Sequence, residues 1–302
     1  MACYVVFHFL YGLQPHRWKF LGTGAATACP LPFCNCQICK DARKFGGKDF
    51  RKRSSILIND DLIIDMGPDF MSASFAHEVD TTKIRYWLQT HSHSDHFDAS
   101  HLITRIAEYA AENVKPLSLF ASSQCIQHMS EQLSREEMGA NLVEVEWLRR
   151  LNLNVYNVNH GEEFICGSYA ITALNSGHDV NGGSYFYLVN NGPHRLFYGL
   201  DADEVTLKEE TMDYFSDHNI RLDSIVLDHT YGNNINASGH LNTNKVISII
   251  NEMRNRDIIK QDTKIFASHI SHEGNLLHDE FVLFSNKNGY DVAFDGLVVE
   301  IN

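Results

Sequence analysis

The stretch Thr90-His91-Ser92-His93-Ser94-Asp95-His96 constrains this chain more than any other. Three histidines and an aspartate fall between positions 91 and 96, directly after the apolar run Ile84-Arg85-Tyr86-Trp87-Leu88. That run reads as a buried strand, so the stretch is a loop at a strand's carboxyl end. His91 and His93 are two apart, and a tight loop turns both imidazoles toward one ion. Asp95 and His96 follow at once and reach a second ion close by. Neutral imidazole and carboxylate suit zinc, manganese or iron in a hydrolytic site. A single His-x-His would read as a solvated loop; this run, with matching candidates downstream, reads as a ligand set.

Composition fits that reading. Seventeen histidines suit a metalloenzyme better than an ordinary globular domain. With 38 acidic against 25 basic residues, the net charge of −13 disfavours nucleic acid and anionic membrane as partners. Bound divalent ions would relieve that charge where substrate sits. No apolar run approaches the ~20 residues that span a bilayer. Residues 1–16 read as an extension before the domain, an added strand or an upstream start; a cryptic signal peptide is the alternative, though the basic leader and cleavage site are missing. Seven cysteines, an odd number, with three in Cys34-Asn35-Cys36-Gln37-Ile38-Cys39, argue for metal rather than disulfides. Cys3, Cys29, Cys125 and Cys166 read as small buried hydrophobes. Reduced cysteines place the chain in a reducing compartment, the cytoplasm.

Strands are predicted over 17–21, 54–58, 62–65, 84–88 and 117–120, with helices over 70–77, 97–111 and 122–137. Beyond Leu142 the period shortens to strands at 151–155, 163–165, 170–174, 184–189 and 195–198. Then helices (205–215, 243–253, 276–284) alternate with strands (224–227, 264–267, 291–294, 297–301). Two layers of mixed sheet, covered by helices on both outer faces, satisfy this order in one domain, 17–302. The basic run Lys40, Arg43, Lys44, Lys48, Arg51, Lys52, Arg53 reads as a solvated face, with phosphate steering as the alternative.

Further ligand candidates stand where predicted strands end: His178 after 171–174, Asp201 after 196–200, His269 after 265–268. Each alone has an ordinary reading as a turn, cap or satisfied polar residue. Together with His-x-His-x-Asp-His they resemble the metallo-β-lactamase superfamily over residues 17–302. The resemblance implies an αββα sandwich with the metal site at the edge of the two sheets. It implies that His91, His93 and His178 hold one ion, that Asp95, His96 and His269 hold the other, and that Asp201 bridges them. Two divalent ions about 3.5–4 Å apart can share one hydroxide nucleophile, and zinc or manganese would serve.

Cys34, Cys36 and Cys39 are one ligand short of a closed tetrahedral zinc site. His272, three residues after His269, can turn away from the catalytic pair. Cys-x-Cys-x-x-Cys with His-x-x-His resembles a subgroup: the phosphodiesterase accessory to carbon–phosphorus lyase, and the pyrroloquinoline-quinone biosynthesis protein B group. There the extra zinc is structural. A reduced, metal-free cluster is the alternative.

His240, before the helix at 243, matches by resemblance the histidine that protonates the leaving oxygen in phosphodiesterase members. A helix cap is the rival reading, and His229 is a second candidate acid. The catalytic side chains expected are His240 and Asp95. Asp228 is expected to orient a ligand histidine. His160, His194 and His278 are expected at the surface. The function expected is a dimetal phosphodiesterase acting on a small cyclic phosphodiester, a cyclic ribose phosphate or cyclic nucleotide; a homodimer is left open. The alternatives are a thioester or lactone hydrolase on the same metals, and a non-hydrolytic cofactor-biosynthesis protein of the pyrroloquinoline-quinone type.

Overall fold

The computed structural model describes residues 16–109, 114–179, 181, 183–233, 235 and 237–301. Residues 1–15, which hold most of the expected extension and Cys3, lie outside the described residues. The strands are β1 (His16–Gly22), β2 (Ser55–Ile58), β3 (Leu62–Ile64), β4 (Tyr86–Leu88), β5 (Leu117–Ala121), β6 (Leu153–Asn157), β7 (Glu163–Cys166), β8 (Tyr169–Asn175), β9 (Tyr185–Asn190), β10 (Arg195–Gly199), β11 (Leu222–Asp228), β12 (Ile259–Ser268), β13 (Asp291–Val292) and β14 (Val298–Ile301). The helices are α1 (Gln37–Phe45), α2 (Phe70–Ala76), α3 (Ser100–Ile103), α4 (Ser123–Glu136), α5 (Val145–Leu151), α6 (Glu204–Thr206), α7 (Met212–Asp217), α8 (Thr243–Asn255) and α9 (His278–Lys287).

Two seven-stranded sheets form, ordered β14-β1-β2-β3-β4-β5-β6 and β13-β12-β11-β10-β9-β8-β7. In the first, β14 to β3 pair antiparallel and β3 to β6 parallel. The second runs parallel from β13 to β10 and antiparallel from β10 to β7. Parallel strands are apolar on both faces because both faces are covered, and β3 (Leu62-Ile63-Ile64) is buried throughout.

Side chains alternate across each strand, so each sheet fills two layers. Trp18, Phe20, Ile56 and Ile64 of the first sheet meet Tyr187, Val189, Tyr198 and Val226 of the second in one buried cluster. Trp87, Leu119 and Ile63 face outward, against Ala73 of α2, Leu102 of α3 and Met129 and Leu133 of α4. Phe197, Ile225 and Ile265 face the other way, against Phe215, Val246, Ile250 and Phe281. Helix, sheet, sheet, helix is therefore the layering, as the strand and helix order predicts. Each such large side chain contributes ~1.5–3 kcal/mol by leaving water.

Some local expectations fail. The helix predicted over 97–111 is a single turn, Ser100–Ile103. The Asp98 carboxylate accepts from Ser100 N, and the Arg105 guanidinium donates to the carbonyls of Leu151, Lys115 and Asn152 instead of facing solvent. Helix α5 occupies 145–151, a stretch with no predicted element before the strand predicted at 151–155, and β6 begins at 153. Strand β13 covers only 291–292.

Candidate metal centre

The carboxyl end of β4 carries the histidine loop, and several buried groups fix its shape. The Gln89 side chain takes a hydrogen bond from Trp87 Nε1 (2.9 Å) and donates to the carbonyls of His91 (2.5 Å) and His96 (3.1 Å), tying both ends of the loop. The second sheet reaches the same place. Tyr187 Oη donates to the Gln89 carbonyl at 2.8 Å, and Tyr185 N to the Thr90 carbonyl at 2.9 Å. Gly67 lies so close that a Cβ there would come within 2.0 Å of the Asp95 carbonyl oxygen. Only glycine admits that approach.

The other candidates arrive from strand ends of the second sheet. Asp201 follows β10, His269 follows β12, and His178 follows β8. Asp201 and His269 adopt left-handed backbone (φ +53° and +57°), as does Asp65 after β3 (φ +62°). A non-glycine residue held there stores strain, which marks sites where orientation matters.

Ligating atoms of His91, His93 and His178 lie within 4.8 Å of one another, as do those of Asp95, His96 and His269. His91 Nε2 is 3.0 Å from His93 Nδ1. Two nitrogens bound to one tetrahedral ion would sit about 3.3 Å apart. Asp201 lies between the sets, 3.0 Å from His96 Nε2, 3.4 Å from His269 Nε2 and 3.6 Å from His178 Nε2. Behind the rings, four Nδ1 atoms are engaged. His91 meets Thr90 Oγ1 (3.0 Å), His96 meets Asp65 Oδ2 (2.7 Å), His178 meets the Gly239 carbonyl (2.9 Å) and His269 meets Thr230 Oγ1 (2.8 Å). Partners of this kind fix the tautomer and leave Nε2 as the inward ligand atom.

The electrostatics ask for cations. Asp65, Asp95, Asp201 and Asp228 are all buried, and among the described residues their ion pairs are with histidine alone. Burial opposes charge on Asp95 and Asp201, but the surrounding histidines outweigh it and hold both carboxyls well below the usual range. Burial likewise opposes charge on His96, yet Asp95, Asp201 and Asp65 together hold its pKa far above the ordinary value. Burial keeps His91 neutral. His96 Nε2, His269 Nε2 and Asp201 Oδ2 have no hydrogen-bond partner among the described residues, although opposite charges lie within about 3–4 Å. Atoms aimed around a common centre rather than at one another are what ion ligands require, so the donor set fits two divalent cations. Loading them would displace the His96 proton.

His240 stands beside Asp201, its ring largely covered. Its Nδ1 is 3.0 Å from Asp228 Oδ2 and 3.1 Å from Thr230 Oγ1. Its ring stacks on His269 at 5.4 Å. Burial would lower its pKa, but Asp228, with smaller help from Asp201 and Asp95, lifts it to about 9. Asp228 also accepts from the backbone N–H groups of Thr230 and Leu241. It therefore orients His240, and reaches His269 only at 3.9 Å.

Cys34, Cys36, Cys39 and His272 form a separate cluster, with ligand atoms within 4.8 Å of one another. His272 Nδ1 is 3.4 Å from Cys36 Sγ and 3.8 Å from Cys34 Sγ. Around a tetrahedral zinc, sulfur and nitrogen would stand about 3.5 Å apart. The set fits a closed zinc site.

The β-lactamase superfamily domain matches residues 61–260. The chain belongs to the metallo-β-lactamase superfamily. None of the curated proteins compared with it matches in sequence. Among solved structures, a diphosphatase of the PhnP family is 19% identical, with a TM-score of 0.68 over 95% of this chain and 98% of that one. Zinc-bound PqqB from Methylobacterium extorquens is 18% identical, with a TM-score of 0.69 over 94% and 100%. The metallo-β-lactamase fold protein YhfI from Bacillus subtilis is 15% identical, with a TM-score of 0.65 over 95% and 100%. These likenesses establish a shared fold. No helix among the described residues is long and apolar enough to cross a membrane.

Within this superfamily fold, several side chains depart from expectation. His229 is fully buried, with Nε2 3.3 Å from Tyr290 Oη, and faces the outer helix layer rather than the site. His278 is buried too, its Nδ1 3.3 Å from the guanidinium of Arg51. Arg51 itself is buried, donating to Thr23 Oγ1 and the Ala293 carbonyl, so one member of the basic run is a structural strut. Asp65, Gln89 and Thr230 were not singled out by sequence. Asp65 alone carried a signal there, an acidic residue ending an apolar strand.

Proposed function

We propose that this superfamily member is a two-metal phosphodiesterase acting on small cyclic phosphodiesters, cyclic ribose phosphates or cyclic nucleotides. The reading rests on one observation: Asp201 stands against His96, His178 and His269 at once, with His240 beside it. We assign one ion to His91, His93 and His178, the other to Asp95, His96 and His269, Asp201 to both, and a structural zinc to Cys34, Cys36, Cys39 and His272. Two divalent ions held there would supply an activated water and offset the charge of a phosphate's non-bridging oxygens. His240, with Nδ1 committed to Asp228, has Nε2 left to donate a proton to the leaving oxygen. Asp228 keeps that ring charged and oriented. A net charge of −13 favours a small substrate over a polynucleotide. A fold neighbour described as a diphosphatase performs related chemistry at phosphorus.

The test is turnover of bis(p-nitrophenyl) phosphate by protein loaded with manganese or zinc, beside a lactone and a thioester. Turnover of the phosphodiester alone is expected. His240→Ala should slow alkyl esters by about 10²–10⁴-fold while sparing p-nitrophenolate, which needs no proton. Preference for the lactone or thioester would replace the reading. Bound metal with no turnover of any ester would favour a non-hydrolytic cofactor-pathway role.

A further inference from the structure

Helix α4 packs Cys125, Ile126, Met129 and Leu133 into the outer core against Trp87 and Leu119. His128 and Gln132, one turn apart, leave from a different face. Both reach Ser92, the residue between His91 and His93. Gln132 Nε2 donates to the Ser92 carbonyl at 2.8 Å, and His128 Nδ1 lies 3.2 Å from Ser92 Oγ. Ser92 is buried, so water competes little for these contacts.

The amino end of the same helix reaches the loop that carries His178. Ser122 caps α4 by accepting from Cys125 N at 3.0 Å, and donates to the Gly183 carbonyl at 2.8 Å. Gly183 has left-handed backbone (φ +65°), and a Cβ there would stand 2.5 Å from Ser122 Oγ. Gly183 N donates to the Asp179 carbonyl and Asp179 N to Ser184 Oγ, closing the loop next to His178. Asp179 Oδ2 then stands 3.7 Å from His93 Nε2, while His93 Nδ1 faces His91. The ligands assigned to the second ion are held by other elements: His96 by Asp65 after β3, His269 by Thr230 after β11. Gln89 serves both sets.

We infer that α4 is a positioning element for the first ion's ligands, His91, His93 and His178, and not for the second ion's. Gln132 fixes the turn between His91 and His93, and Ser122 fixes the His178 loop. Neither side chain touches metal or substrate; each holds backbone from which a ligand departs. A site whose ligands come from two loops binds its ion more weakly when either loop is free, because ordering that loop then opposes binding. The inference rests on the ligand assignment proposed above and is independent of the substrate.

Chelator competition on the cobalt-loaded protein separates the sites without turnover. The d–d absorption follows the two imidazole–carboxylate sites, and the thiolate-to-cobalt charge-transfer band follows the cysteine cluster. His178→Ala and His269→Ala identify which step belongs to which ion. Gln132→Met, close in size but without the donor, should weaken the step that His178→Ala removes by about tenfold and leave the step that His269→Ala removes unchanged. Ser122→Asp, which keeps the cap acceptor and lacks the donor, should act in the same way. Gln127→Met, exposed on the same helix, should change neither step. Equal weakening of both steps in Gln132→Met, or of neither, overturns the inference. So does a failure of His178→Ala and His269→Ala to remove different steps. Selective weakening without turnover of any ester keeps the role of α4 and removes the phosphodiesterase reading; turnover without selective weakening does the reverse.

Discussion

Two clusters of candidate metal-ligating side chains hang from one loop and are built in opposite ways. His269 turns inward to carboxylates and imidazoles, while His272, three residues on, turns to thiolates. The inner cluster draws on strand ends in both sheets, is buried except at the exposed His93 and the half-buried His178, and holds residues in left-handed backbone. The outer one takes three ligands from a single short stretch around the start of α1, half-exposed at Cys34 and Cys36, and one from a residue 236 positions beyond Cys36. The inner arrangement needs the whole fold before it exists. The outer one needs only two segments, and an ion there would close a long loop between them. Oxygen and imidazole on one side and thiolate on the other also select differently among metals.

Removing Asp201 should break the comparison most severely. Asp201→Ala is expected to abolish measurable turnover and lower the catalytic metal content, while the zinc of the cysteine cluster stays, as elemental analysis would reveal. Loss of all metal together would mean the clusters are not independent. Next comes Asp65→Asn, which keeps the shape but weakens the hold on His96 Nδ1. A loss of about 10–100-fold in catalytic-metal affinity is expected by competition with a chelator.

Cys36→Ser should act on the other side. It is expected to lose one zinc and to lower the melting temperature by several degrees, with a smaller effect on kcat. If kcat falls as far as the Asp65 variant's, the outer cluster positions His269 rather than merely stapling the chain.

The smallest effect concerns protons. Burial pushes His16, His229 and His278 down to about 4 from 6.5; His194 adds to it at His16 and Arg51 at His278. The folded state then binds fewer protons than the unfolded one below pH 6.5. Their contribution to stability is whole above that pH and is lost as pH falls toward about 4. His240 has the opposite sign: its pKa rises to about 9, so its contribution is present below 6.5 and fades as pH climbs through 9. Melting temperatures at pH 7.5 and 4.5 would show a smaller acid drop for His278→Gln than for the wild type.

The sequence determined the layered fold and named the candidate ligands. Short ligand spacings after apolar strands are local facts, and His91, His93, Asp95 and His96 could be read from them. So could the alternation of strands and helices that yields two covered sheets. What only the tertiary structure decided is which polar residues stand behind the ligands. Gln89 and Thr230 are ordinary in sequence and Asp65 only ends an apolar strand; they matter because β3 and β4 end side by side in the first sheet and β11 of the second brings Thr230 to the same place. The fate of His278 and Arg51 was likewise beyond sequence, since a charged residue's burial depends on partners some 230 residues away. Spacing along a chain records which groups can turn to one point. Which groups are sealed from water, and therefore paired, strained or shifted in pKa, is a property of the packed layers.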